Sequence, residues 1–387
     1  MKKILILATV GGFLPQFELD NVRILQEMGY EVHYAANLEH PNYSLDRKML
    51  EKMGVQLHQI PIAKSPFRFW QNGKALHEVM WLIHREKIQA LHCHTPTGGV
   101  IGRLAGMFCG KKLKVIYTAH GFHFYQGAPR FGAFFYHAVE KQLARFTDIL
   151  IVINNEDYQS ALKFRLREGG HVYRIPGVGV DMEKFAPLTE ATRLDGRRRL
   201  GLDEEDFFLI SVGELNENKN QHMVLLSLAW MCGNEEDISH IHYGICGDGV
   251  NRRKLEEEVR FLGLSDIVKM YGYQSPVQPI LGCADAFILP SRREGLGMAA
   301  LEALSMGIPV IAADNRGTRE YMQPEKNGFV CGWDDVGGYI HGIGRMRAMS
   351  QEQREEMRCF CRESVRGFEK KNTVRVMRDV YRRLDEM

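Results

Sequence analysis

The sequence predicts an α/β protein made of two doubly wound halves, each a parallel sheet flanked by helices. Three observations carry this. Short apolar runs alternate with longer amphipathic stretches along most of the chain. The alternation is interrupted by one Pro/Gly seam, Ile175-Pro176-Gly177-Val178-Gly179-Val180-Asp181, and then resumes. The chain has 387 residues, which exceeds one ordinary hydrophobic core and suits two domains of about 150–200 residues each.

In the first half, residues 4–10 read as a fully buried strand, followed by a helix over 16–28 that packs through Phe17, Val22, Ile24 and Leu25 and stops at Gly29. Residues 31–35, 90–93, 114–118 and 149–153 read as further strands, with helices over 72–86, 99–108 and 131–146. After the seam comes a charged stretch with Arg197-Arg198-Arg199 and Asp203-Glu204-Glu205-Asp206, read as a solvated helix face and a turn. The second series places strands at 207–212, 240–246, 267–270, 286–289 and 309–312, with helices at 249–262 and 298–306 between them. The last forty residues are charged and helical in pattern. The domains are therefore expected at 1–178 and 179–365, with a helix at 366–387 packing back towards the first. No fixed short period indicates a solenoid.

Composition narrows the function. Hydrophobic residues make up 45% and charged residues 25%, as in an ordinary soluble protein. A net charge of +2 does not indicate a large nucleic-acid footprint. Eight cysteines are scattered without a CxxC pair, which disfavours zinc or redox modules and fits reduced thiols in a cytoplasm. Residues 4–10 are too short for most signal h-regions and Gly11-Gly12 interrupts them, so no signal peptide is expected. No stretch reaches the roughly 18 uninterrupted apolar residues of a membrane span. The expected setting is cytoplasmic, with the inner membrane face as a surface of attachment.

Ligands of open α/β sheets bind beyond the carboxyl ends of the strands, and the richest such loop follows strand 286–289. It reads Pro290-Ser291-Arg292-Arg293-Glu294-Gly295-Leu296-Gly297, and Glu302 follows in the next helix. Ser291 suits helix initiation, and Gly295 and Gly297 let backbone approach a ligand closely. The helix start offers free amides and a positive dipole end to a phosphate or a polar sugar. Glu294 and Glu302 are separated by seven residues, just over two helical turns. A carboxylate has two acceptor oxygens and can hold neighbouring sugar hydroxyls. Either glutamate alone also fits helix capping or a solvated face.

The string Pro290-Ser291…Glu294-Gly295-Leu296-Gly297…Leu301-Glu302-Ala303…Gly307-Ile308-Pro309-Val310-Ile311-Ala312 resembles the signature of retaining glycosyltransferase family 4. The resemblance extends over nearly the whole chain and includes the glycine-containing first loop, a histidine after a mid-domain strand and the 210–220 segment. The first half is similar to the bacterial capsule and exopolysaccharide branch. The resemblance implies the GT-B fold, two Rossmann-like doubly wound domains facing an interdomain cleft. It implies that Glu302 binds the ribose of a nucleotide diphosphate sugar and that Glu294 holds hydroxyls of its sugar. The amides of Leu296, Gly297 and Met298 would touch sugar or diphosphate. Lys219, in Gly213-Glu214-Leu215-Asn216-Glu217-Asn218-Lys219, falls at the family's diphosphate-binding lysine, where a cation stabilises charge growing on the leaving group. Glu214 departs from the pattern, since many relatives carry arginine there. Arg292, Arg293 and Arg316 are the candidate substitutes.

In the first half, Gly11-Gly12 follows the first strand without a GxGxxG fingerprint. Two glycines fit either a plain turn or close approach to a diphosphate. His120, just past strand 114–118, matches the family histidine that contacts the donor sugar near the reacting carbon; capping or packing is the alternative. His92 and His94 alternate on one strand face, but no third ligand stands out at suitable spacing, so no metal is expected. His94 is instead placed to meet the acceptor. Residues 122–137 and Phe67-Arg68-Phe69-Trp70 are dense in aromatics and suit an acceptor groove, a membrane interface or a core.

The function expected is transfer of a sugar, with retention, from a nucleotide diphosphate sugar (a UDP-sugar) to a glycan or lipid-linked saccharide in cell-surface polysaccharide synthesis. The donor is a co-substrate, and neither cofactor nor metal is expected. The alternatives are a nucleotide-sugar 2-epimerase on the same fold and a non-catalytic sugar-nucleotide-binding subunit. A nicotinamide dehydrogenase is disfavoured by the missing fingerprint.

Overall fold

A computed structural model describes residues 1–40, 44–234 and 238–387. Its contacts divide the chain into two units, Met1–Val178 with Lys371–Met387, and Gly179–Lys370.

Among the described residues, the first unit holds seven strands: β1 (Lys2–Val10), β2 (Tyr30–Asn37), β3 (Gln56–Gln59), β4 (Ala90–His94), β5 (Lys114–Ala119), β6 (Ile149–Val152) and β7 (His171–Arg174). They pair in parallel in the order β3-β2-β1-β4-β5-β6-β7. The order reverses between β1 and β4, so the loops after these two strands diverge and leave a crevice beyond their carboxyl ends. Ile4 to Leu7 of β1 are fully buried, as a central parallel strand covered on both faces requires.

Helix Pro96–Cys109 covers β4 and β5 at very short range. A Cβ on Gly99 would lie 2.3 Å from the Tyr117 ring, and one on Gly102 would lie 2.6 Å from Cys93 Cβ. Buried Arg103 of this helix lies over the Tyr117 ring, 4.0 Å from its centroid, and donates to Glu140 at 2.6 Å. The final helix, Lys370–Glu386, carries Tyr381 to the same sheet, where its hydroxyl meets buried His92 at 2.9 Å.

The second unit holds β8 (Phe207–Val212), β9 (Ile241–Cys246), β10 (Val268–Gly272), β11 (Ala286–Leu289), β12 (Val310–Ala313) and β13 (Gly328–Cys331). The order is β10-β9-β8-β11-β12-β13, all parallel, with the reversal between β8 and β11.

The sequence reading placed ten of these strands and passed over β3, β7 and β13. Their side chains are only partly buried in β3 and β7, and all three lie at sheet edges, where a continuous apolar run is not required. The single helix expected over 16–28 is two, Phe13–Phe17 and Leu19–Glu27, broken at Glu18 with φ −122° and ψ 7°. Ser291 is not a helix cap: the helix begins at Met298, capped by Gly297, and Ser291 is fully buried. Among the described residues, no helix is long and apolar enough to cross a membrane.

Candidate active site

In the second unit, the loops after β8 and β11 flank the point where strand order reverses. Asparagines stitch them together. Asn218 O accepts from Arg292 N at 2.8 Å, and Asn218 Nδ2 donates to Arg293 O at 2.9 Å. Asn220, at φ 59°, donates to Pro290 O at 3.1 Å and Trp333 O at 2.8 Å. Asn216 Oδ1 turns the β8 loop by accepting from the backbone of Asn218 and Lys219, both at 3.0 Å. The result aims two predicted residues at one another: Lys219 Nζ lies 2.6 Å from Glu294 Oε1.

Gly297 caps the following helix in the left-handed region, φ 86°, where a side chain is strained. A Cβ there would meet Tyr321 Oη at 2.8 Å. The Tyr321 hydroxyl is buried, and burial together with the Glu294 charge pushes its pKa well up. Leu296 and Gly297 are buried and Met298 is half-buried, so their amides sit at the helix start beside Glu294. Glu302, one turn into the helix, is half-buried; burial pushes its carboxyl up to about 7, against the pull of Lys184.

Glu214 is exposed, so the side chain that replaces the family arginine stands in solvent. Of the substitutes, Arg292 is exposed and lies over the Trp333 ring, 4.9 Å from its centroid, Arg293 is half-buried, and Arg316 is buried.

In the first unit, the loops after β1, β4 and β5 carry the predicted residues. Gly11 donates to Asn37 O at 3.0 Å, and a Cβ there would come 3.0 Å from Leu38 Cα. Packing by its own chain is therefore enough to require glycine at Gly11. Gly12 starts helix Phe13–Phe17 in ordinary helical geometry. His120 is half-buried, with its ring neutralised by burial, which lowers its pKa to about 4. It lies beside fully buried His94, Nε2 to Nδ1 3.3 Å. His92 is fixed between Tyr381 and Thr118, whose hydroxyls lie 2.9 and 2.8 Å from its ring nitrogens.

Sequence reasoning missed Glu18. It is buried, 3.5 Å from His94 Nδ1, and burial raises its carboxyl to about 8. Its signal was present: Glu18 falls on the helical stripe of Val22 and Leu25, where an acid is out of place. His94 thus gains two further potential ligand groups, Glu18 and His120, that strand spacing did not disclose. Glu18, His94 and His120 lie far apart in the sequence and meet only through the sheet order.

Comparisons with known proteins give the family. The "Glycosyltransferase Family 4" model matches residues 19–184, and "Glycosyl transferases group 1" matches residues 193–359. The protein named "Putative glycosyltransferase EpsD" from Bacillus subtilis (strain 168) is 36% identical over 388 residues, covering 98% of this chain and 96% of its own. The chain belongs to glycosyltransferase family 4. The Escherichia coli UDP-Gal:alpha-D-GlcNAc-diphosphoundecaprenol alpha-1,3-galactosyltransferase is 29% identical over 310 residues, covering 80% of this chain and 79% of its own. Anabaena HepE, solved in complex with UDP and glucose, superposes with a TM-score of 0.78 at 16% identity, with full coverage of both chains, which shows the shared fold. This glycosyltransferase therefore has the GT-B fold, and its relatives include proteins of polysaccharide biosynthesis.

Proposed function

We propose that this glycosyltransferase uses a UDP-sugar and transfers its sugar, with retention, to a glycan or a lipid-linked saccharide. The observation that carries the reading is the Lys219–Glu294 pair at the β8/β11 reversal, held by the asparagine stitching and set beside a helix start. A nucleotide diphosphate sugar asks for these groups together. Lys219 meets charge that grows on the departing diphosphate, and the helix-start amides of Leu296, Gly297 and Met298 add to it. Glu294 accepts from sugar hydroxyls and Glu302 from the ribose. Gly11 and Gly12 are the first unit's own candidates for close backbone approach to a ligand. His120, kept neutral by burial, donates a hydrogen bond to the sugar being transferred.

Lys219, His120 and the helix-start amides act through charge and hydrogen bonding, and attack on the face that the diphosphate leaves fits retention without a required metal or cofactor. The donor class is supported by the UDP-linked names of two similar proteins. The acceptor class is supported by the diphosphoundecaprenol acceptor in the name of the E. coli relative.

A membrane-facing role for the first unit is supported by its exposed aromatics. Trp70 and Phe131 are each 95% exposed, with Phe67, Phe69, Phe134 and Phe135 also exposed and Arg68 and Arg130 adjoining them in sequence. Aromatic and basic side chains together suit the interface of an anionic bilayer.

The test is incubation with UDP- and GDP-sugars, with and without membrane extract, followed by NMR of the product anomer. An α-product from an α-linked UDP-sugar, dependent on extract, is expected. Release of free sugar or of an epimer without acceptor, or turnover of GDP-sugars alone, overturns the reading. For the membrane surface, Trp70→Glu with Phe131→Glu should abolish co-sedimentation with anionic vesicles, and unchanged sedimentation refutes it.

A further inference from the structure

We propose that Glu18, His94 and His120 form a binding site for a divalent transition metal of the zinc class, whose occupancy withdraws His120 from sugar transfer. The metal site stands on its own geometry; the inhibitory consequence rests on the role proposed above for His120.

Among the described residues, these three offer ligand atoms that all lie within 4.8 Å of one another. Two of the separations are short: His94 Nδ1 to His120 Nε2 is 3.3 Å, and His94 Nδ1 to Glu18 Oε1 is 3.5 Å. With zinc–nitrogen bonds of about 2.0–2.1 Å, the edge of a coordination tetrahedron is about 3.3–3.4 Å. The same separations are long for hydrogen bonds, which favour about 2.7–3.2 Å. His94 Nε2 is buried with no hydrogen-bond partner among the described residues. Ligation through Nδ1 leaves the imidazole proton on this Nε2.

The ligand set has the right chemistry. Two imidazoles and one carboxylate suit zinc and leave a fourth position for water. Burial keeps both imidazoles neutral, so their lone pairs are available at neutral pH. Asn21 Nδ2 holds Glu18 Oε2 at 2.5 Å and leaves Oε1 towards His94, as an outer hydrogen bond orients a ligating carboxylate. The His94 ring is fixed by packing, its centroid 4.1 Å from that of His92 and 5.2 Å from that of Phe13. Glu18 and His120 line a recess of the first unit, together with Phe17, Asn21 and Thr118.

The sequence places the three ligands on separate elements: the helix break after β1, the end of β4 and the loop after β5. They meet because these strands are adjacent in the order β1-β4-β5.

The experiment titrates the full chain with zinc chloride by calorimetry, and with cobalt(II) by visible absorption. One equivalent should bind, and cobalt should give the intense bands of a four-coordinate ion. Glu18→Gln, an isosteric change, should weaken zinc at least tenfold at matched thermal stability. His94→Gln should do the same where it folds. Zinc should inhibit transfer by the parent, reversibly with chelator, and its inhibitory concentration should rise at least tenfold in Glu18→Gln. No binding by the parent, or equal affinity in folded Glu18→Gln, overturns the site. Binding that Glu18→Gln abolishes but that leaves parental transfer untouched overturns the role of His120 instead.

Discussion

The ammonium of Lys219 sits 2.6 Å from the Glu294 carboxylate, joining two loops 75 positions apart in the sequence. The pair is mostly sheltered, with side chains 24% and 11% exposed. Each partner neutralises the other in this structure, and under the proposed function Lys219 serves phosphate and Glu294 the sugar hydroxyls. Lys219→Met and Glu294→Gln should each lower kcat/KM about 100-fold, or about 2.7 kcal/mol of transition-state stabilisation. The double variant should cost clearly less than the product of the two, because each single change strands a sheltered charge. Steady-state kinetics with the cognate donor checks this, and near-normal transfer by both single variants sinks the assignment.

Glu302 predicts a pH dependence. Burial raises its carboxyl to about 7 in the folded protein, from an ordinary value of 4.5. If Glu302 holds the ribose as proposed, its ionised form is the better acceptor, so donor KM should fall as pH rises from 6 towards 8 and then level off. For stability the sign is opposite. The raised value means that the contribution is full below about 4.5 and is lost as pH rises through about 7. Glu302→Gln should flatten both profiles and weaken donor binding about tenfold, measured by calorimetry with the nucleotide.

Gly297→Ala should destabilise the second unit. The left-handed backbone costs a residue with a Cβ about 1–2 kcal/mol, and the added carbon would meet Tyr321 Oη at 2.8 Å. A melting shift of about 3–8 °C follows for a unit of this size. Tyr321→Phe in the same chain should recover part of the loss, since it removes the clashing hydroxyl. Equal melting of Gly297→Ala and parent would contradict the cap.

Tyr381→Phe tests the final helix. The hydroxyl satisfies a ring nitrogen of His92, which is wholly buried and held neutral by that burial, with its pKa lowered to about 3. Leaving a buried polar atom without a partner costs about 1–3 kcal/mol. Denaturant unfolding of the first unit should register it, while nucleotide affinity stays as in the parent.

Much of this was legible in the residues. Buried parallel strands must be apolar along their whole length, so β1, β8 and β11 announce themselves, whereas the edge strands β3, β7 and β13 need no such run. The Pro290 to Glu302 string was legible because a close backbone approach demands glycine at fixed places. Lys219 and Glu294 could each be named from their own loops. Their pairing could not, because it depends on β8 and β11 being neighbours in the sheet.

Glu18, His94 and His120 show the same division more sharply. Residue types and strand periodicity are local properties, so the sequence by itself determined the fold class, the loops that carry the chemistry and the identity of most candidate side chains. Which of those side chains touch was decided only by strand order, since β1, β4 and β5 lie side by side though they begin at residues 2, 90 and 114. The protonation states were likewise decided there. An isolated glutamate is an ordinary acid, and only burial by residues far away in the chain holds the Glu18 proton on and the His120 proton off.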